Sequence, residues 1–368
     1  MKSAAETIAS PPLTLRHRLP GDALAILRRG WRHVGLAQHR RPLWTLVDGG
    51  SEAGSAWLAG AARHEAMRGS AVVWVADVHG SPFDPAKGAI LDLTSRGVGP
   101  AVTWNPLIAP RLRPSTLAAI VGSAIAFPSS AEETAVLHAG LADIFRAARS
   151  AKRSLNLRDI EILVDPDRPA FSPPEILRKA REPLNRAPTD ARRAWKRTLA
   201  GLVHWKLCTY RHSFDPVAFL RCGGIFVIQC APDDRSVQIL LQILCALAAW
   251  DGPSRALAVF ASARHLSADS AAYAREAGAH LFCNYRRNIG APRFAGAHRV
   301  EALGARAAEG IRYILSDDEG IWIRGKFPRM PQRNFPSNNE TITSAATDAL
   351  GWHLVDPSAD RPARQLEL

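Results

Sequence analysis

Four short apolar runs constrain the fold of this chain more than any other feature. They are AVVWVAD (71–77), GGIFVIQC (223–230), RALAVFA (255–261) and HLFCNY (280–285). The first is apolar up to its final Asp77 and rich in β-branched valine, as in a strand buried on both faces of a parallel sheet. Stretches that suit helices lie between these runs: SAWLAGAARHEAMRG (55–69), ended by Gly69, DRSVQILLQILCALAAW (234–250) and SADSAAYAREAG (267–278). Strands alternating with helices predict a mostly parallel α/β sheet with helices on both faces.

LWTLVD (43–48) reads as a first buried strand, followed by a glycine turn and then the first helix. AVTWNPL (101–107) predicts a short strand running into a proline-stopped turn, and PSTLAAIVGSAIAF (114–127) an amphipathic helix. Residues 131–212 lose strand signals and gain arginine and proline, so they predict an all-helical insertion. GIRYIL (310–315) and GIWIRGKF (320–327) predict a closing pair of strands. The expected organisation is a basic N-terminal segment (1–41), an α/β domain from 42–130 and 213–327, the insertion between them, and a polar, proline-rich mobile tail (328–368).

The five cysteines, Cys208, Cys222, Cys230, Cys245 and Cys283, never fall in a Cys-x-x-Cys pair, which argues against a disulfide framework and a zinc site. His17, His33, His39 and His64 show no metal-ligand spacing, and no Ser/His/Asp order suggests a hydrolase. The longest apolar run (239–250) is too short to span a bilayer and no signal peptide is visible, so a cytoplasmic protein, at most peripheral to the inner membrane, is expected. A formal charge of +13 favours acidic partners, nucleic acid foremost. Its clusters, RAARSAKR (146–153), RKARE (178–182) and ARRAWKR (191–197), lie in the helical insertion. Arg192, Arg193, Lys196 and Arg197 sit at i, i+1, i+4 and i+5. On one helix they would share a side and meet successive phosphates. A solvated surface is the alternative reading.

The glycine turn has the outline of a phosphate-binding loop. Gly49, Gly50, Ser51, Glu52, Ala53, Gly54, Ser55 and Ala56 keep the two framing glycines of the Walker A pattern, but Ser55 and Ala56 occupy the places of its lysine and its hydroxyl residue. An unrelated turn is the alternative reading, because Gly-Gly-Ser turns before helices are common.

The order of features is similar to that of the type IV secretion and conjugation coupling proteins, of the FtsK/HerA group of P-loop ATPases. A glycine loop follows the first strand, a second strand ends in Asp77, and Trp104-Asn105-Pro106-Leu107 matches that family's Asn-Pro-Leu turn. A helical insertion and a return to the sheet complete the resemblance, which runs from about Pro42 to about Phe327. Asp77 and Gly80 match the ends of the family's Asp-Pro-Lys-Gly segment, while Val78 and His79 replace its centre. The resemblance implies a RecA-like P-loop fold without the family's membrane-spanning N-terminus.

The departures from the family fall on its chemistry. The lysine would neutralise the β and γ phosphates and the hydroxyl would ligate magnesium, whereas Glu52 adds a like charge in the loop. The family's Walker B Asp-Glu falls at Ala261 and Ser262, and its polar sensor near Asn284, where the usual Gln is absent. The expectation is therefore a pseudo-ATPase with no required cofactor and room only for weak ATP binding through the backbone N–H groups of residues 50–55. It would act as scaffold or adaptor in a secretion or conjugation assembly, beside an active ATPase paralogue, with nucleic acid on the basic insertion. Two rival readings stay open: an ATPase subunit whose missing groups come in trans, and a stand-alone nucleic-acid-binding protein.

Overall fold

The computed structural model describes residues 23–29, 32–37, 44–48, 58–59, 61–62, 65–66, 69–77, 89–94, 102–126, 129–167, 175–210, 213–231, 234–251, 256–266, 268–285, 298–306, 310–316 and 322–327. The glycine loop from Gly49 to Ala56 and the tail 328–368 lie outside them.

The strands are β1 (Ala23–Arg29), β2 (Arg32–Ala37), β3 (Trp44–Asp48), β4 (Ala71–Asp77), β5 (Ala89–Asp92), β6 (Gly224–Cys230), β7 (Leu257–Ser262), β8 (His280–Tyr285), β9 (His298–Arg306), β10 (Gly310–Ser316) and β11 (Trp322–Phe327). They form one sheet in the order β2-β1-β11-β10-β9-β3-β8-β7-β4-β6-β5. The run from β9 to β5 is parallel throughout. The other end is antiparallel, with β10 and β11 paired as the sequence predicts and β1 and β2 added beyond them. The segment expected as a basic N-terminal stretch thus supplies two strands, and β5 and β9 were likewise unmarked.

The helices include α1 (Pro114–Ile125), α2 (Ala131–Ser150), α3 (Leu157–Val164), α4 (Glu175–Ala180), α5 (Thr189–Leu202), α6 (Pro216–Cys222), α7 (Ser236–Asp251) and α8 (Ala268–Glu276), with short 3-10 turns at Glu182–Arg186 and Ala263–His265. Local chemistry sets several of their starts. Ser130 and Glu133 cap α2 reciprocally, the Glu133 amide donating to the Ser130 hydroxyl and the Ser130 amide to the Glu133 carboxylate. Asn156 and Asp159 do the same for α3. Asp215 accepts from the amides of Val217 and Ala218 to start α6, which ends on Gly223 at φ 77°, a left-handed turn that suits glycine.

The helices from 114 to 202 do not form a separate core. Leu137, Leu141, Ile144, Trp195 and Leu199 belong to the same buried cluster as Phe226 and Ile228 of β6 and Leu240 and Leu244 of α7. At the junction, Phe214 stacks on Phe226 with centroids 3.9 Å apart, and the edge of Trp104 meets both rings.

The segment 102–107 is not a strand. Its backbone hydrogen bonds go to three places instead of one ladder: Val102 N–H to Ile90, Trp104 N–H to the Lys206 carbonyl, and the Thr103 carbonyl to the amides of Ser213 and Phe214. A β-like sequence without a continuous partner forms a connecting strap.

Candidate functional site

Parallel registry brings the expected nucleotide-site positions to one edge of the sheet. Val47 of β3 pairs with Asn284 of β8, which pairs with Ser262 of β7, while Asp48 pairs with Tyr285. Asp48, the last residue of β3, is thus separated from the Walker B-like positions Ala261 and Ser262 of β7 by the single strand β8. Open α/β sheets bind ligands at this carboxyl edge.

The chemistry at the end of β7 is poor. Ala261 is buried, and Ser262 is half-buried with its hydroxyl accepting from the Arg264 amide at 3.4 Å. Neither side chain offers the carboxylate that would hold magnesium or orient a water, so these residues do not fit the metal-nucleotide group of a P-loop ATPase. Among the described residues no group of three His, Cys, Asp or Glu could hold a metal ion. Burial pushes the thiols of Cys245 and Cys283 up to about 12, and that of Cys208 to about 11, which leaves them inert at neutral pH.

The Trp-Asn-Pro-Leu turn is a clamp. Asn105 is fully buried, its amide nitrogen donating to the carbonyls of Leu155 and Thr209 and its oxygen accepting from the Leu107 amide at 2.9 Å. Pro106 needs no backbone partner as a donor, and Trp104 and Leu107 fill the core on either side. Asp77 ends β4 in register with Cys230 of β6. A second tie was not legible in the sequence. Lys206, 2% exposed, donates to the Asp92 carbonyl at 2.7 Å and lies 3.9 Å from its carboxylate, while Asp92 also holds Thr94.

The four cations expected to face nucleic acid all lie on α5, but they do not share one free face. Trp195, Leu199 and Leu202 form the helix's buried stripe, and Arg192 continues it one turn earlier at 7% exposure. Its guanidinium donates to the carbonyls of Val164 and Asp165 at the end of α3 and to the Asn185 side chain. Arg193 makes a bidentate pair with Asp167, 3.0 Å on each arm, and Lys196 pairs with the buried Asp165. Burial alone would raise the Asp165 carboxyl, but the Lys196 and Asp167 hydrogen bonds outweigh it and hold the group below its ordinary value. Three of the four cations therefore fasten α5 to the last carbonyls and acids of α3, and only Arg197 stays turned to solvent without such a role. The acceptors Asp165 and Asp167 lie in VDPDRP, a stretch whose two acids were the available signal.

No protein-family model matches the chain, and no curated protein matches it in sequence. Its fold is similar to that of the bacterial conjugative coupling protein TrwB. The unbound monoclinic form of TrwBdeltaN70 superposes with a TM-score of 0.58 at 12% identity, over 87% of this chain and 92% of that one. The trigonal form with sulphate gives 0.54 at 15% identity over 85% and 84%. TrwB in complex with the non-hydrolysable GTP analogue GDPNP gives 0.54 at 16% identity over 84% and 83%. At these identities the likeness is one of fold. The chain has a RecA-like α/β fold, a parallel sheet flanked by helices, and among the described residues no helix is long and apolar enough to cross a membrane.

Proposed function

We propose that this chain is a pseudo-ATPase, a P-loop-like domain that does not turn over ATP and serves as scaffold or adaptor in a secretion or conjugation assembly. The end of β7 carries the reading: a buried methyl group at Ala261 and a hydroxyl at Ser262 stand where a magnesium-binding and water-orienting pair would be needed. The sequence of the glycine loop points the same way, with Ser55 and Ala56 in place of the lysine and the hydroxyl. Phosphoryl transfer depends almost wholly on positioning and charge neutralisation, so losing the lysine and both metal-site groups removes most of the barrier reduction. The fold shared with a conjugative coupling protein supports the assembly, and the same reading sets the chain on the cytoplasmic side of that assembly, with an active ATPase paralogue as its partner. Because Arg192, Arg193 and Lys196 are engaged within the protein, the reading does not rest on DNA at that face.

The purified chain is expected to show no magnesium-dependent ATP turnover above a blank, with or without DNA. Turnover near ~1 s⁻¹, the lower end of ordinary enzymes, sinks this reading. Turnover arising only on mixing with an active ATPase replaces it with a subunit completed in trans.

A further inference from the structure

The last turn of α7 exposes a large ring in a surface dense with cations. Ile239, Leu240, Ile243, Leu244 and Leu247 of this helix are buried, yet Trp250 is 56% exposed, although a ring of this size is ordinarily covered. The helix runs back from the carboxyl end of β6 and so delivers Trp250 to the amino edge of the sheet, where β7 begins, opposite the edge at which Asp48 ends β3. The Arg111 guanidinium lies over the indole, 5.3 Å from its centroid.

Arg149, in the last turn of α2, ties further cations to this point. Its guanidinium donates to the carbonyls of Ala109 and Leu112, at 3.3 and 2.9 Å, so the end of α2 lies against the segment that carries Arg111 and Arg113. Beyond α2 the Lys152 amide donates to the Arg149 carbonyl and the Arg153 amide to the Ala148 carbonyl. Arg113, Arg149, Lys152 and Arg153 are all exposed. Neither 102–126 nor 144–158 contains an Asp or Glu, and α7 contributes one acid, its terminal Asp251. Directly after Arg113, α1 starts with no side-chain cap and no acid in its first turn, which leaves the positive end of its dipole uncompensated there. Lys152 has a φ of 51°, a left-handed position after a helix at which glycine is the unstrained choice, so a cation is kept in the patch at the expense of the backbone.

We propose that Trp250, Arg111, Arg113, Arg149, Lys152 and Arg153 form a docking surface for an anionic lipid bilayer. Guanidinium groups take headgroup phosphate oxygens in bidentate fashion, and each basic residue at an anionic leaflet strengthens binding about fivefold. An indole suits the same depth, its apolar body towards the acyl chains and its N–H towards water. The combination separates a bilayer from nucleic acid. A duplex needs phosphate contacts and no exposed ring, and a single strand needs a row of rings on which successive bases stack. Here one indole, with Arg111 over it, stands among five cations.

The test spins the purified chain down with vesicles of equimolar phosphatidylglycerol and phosphatidylcholine, and with vesicles of phosphatidylcholine alone, in low salt. Binding to the anionic vesicles only is expected, and it should fall steeply as salt rises. Arg113→Gln, Lys152→Gln and Arg153→Gln together are expected to weaken it about a hundredfold, and Trp250→Ser about tenfold. Lys152→Gly relieves the left-handed residue, so it should melt no lower than the wild type and still bind about fivefold more weakly. Equal binding to both kinds of vesicle, or binding to neither, overturns the proposal. Wild-type binding by the folded triple variant overturns it too, and if that variant fails to fold, wild-type binding by Lys152→Gly does the same. A labelled DNA duplex that binds through these three cations while the vesicles do not assigns the surface to nucleic acid, which equally overturns it.

Discussion

The Asn105 side-chain amide donates to the Leu155 carbonyl at 2.8 Å, joining the strap that follows β5 to the approach of α3 across the core. The same side chain reaches Thr209 and Leu107, so it fixes three segments that are distant in sequence. Asn105→Ala removes three hydrogen bonds from a site that excludes water, and is expected to cost about 3 kcal/mol in urea unfolding. Asn105→Asp, of nearly the same shape, is expected to be no better, because a carboxylate cannot donate to either carbonyl. A loss below about 0.5 kcal/mol for both would show that the clamp is not structural.

Arg192 and Arg197 are expected to behave as opposites. Arg192→Ala removes the guanidinium's bonds to the Val164 and Asp165 carbonyls at the end of α3 and to the Asn185 side chain, a loss of about 3 kcal/mol. Arg197→Ala should fall within about 0.5 kcal/mol, as exposed substitutions usually do. Reversing Arg192, Arg193, Lys196 and Arg197 together to Glu should therefore unfold the helical region, a drop in melting temperature visible by circular dichroism without any nucleic acid present.

These same residues mark how far the sequence could be read. AVVWVAD, GIFVIQC, LAVFAS and HLFCNY announce β4, β6, β7 and β8 because each is buried enough to be apolar along its length. HRVEALGAR of β9 and ALAILRR of β1 do not, since strands with arginines and small residues are specified by the partners they meet. AVTW looks like a strand but becomes a strap for the same reason. The placement of Ala261 and Ser262 at the β7 edge follows from strand order and was legible. The inward turn of Arg192 was not, because charge periodicity reports which residues share a side and not whether acids across the interface draw that side in.

Acid should loosen the protein through His138. Burial pulls its pKa below the ordinary 6.5, with Asp269 opposing, and its Nε2 has no hydrogen-bond partner. His204 is lowered too, by burial and then by Lys206. A folded-state pKa below the unfolded value means that the unfolded chain binds more protons in the interval between the two. Stability is then full above 6.5 and falls as pH drops towards the folded value. Urea midpoints are expected to fall from about pH 7.5 to about pH 5.5, and His138→Gln is expected to shrink the fall without abolishing it. An unchanged slope in that variant would rule out His138 as a contributor.

Rebuilding the nucleotide site should separate binding from chemistry. Ser55→Lys with Ala56→Ser returns a phosphate-binding charge and a metal-binding hydroxyl to the glycine loop, so affinity for magnesium-ATP should rise in a calorimetric titration. Turnover should stay at the blank, because the β7 edge still lacks a carboxylate. Adding one there is not neutral. Ala261 is 4% exposed and sits in register with the fully buried Cys283, so Ala261→Asp places an acid where desolvation opposes its charge, at an expected cost of about 2 kcal/mol or more. Ser262, half-buried and next to Asn284 in the ladder, should accept an acid with less loss, and Ser262→Glu is the version to combine with the loop changes. If the loop changes alone restored hydrolysis, the groups missing from β7 would have to be supplied by residues elsewhere in the chain, and the pseudo-ATPase reading would fall.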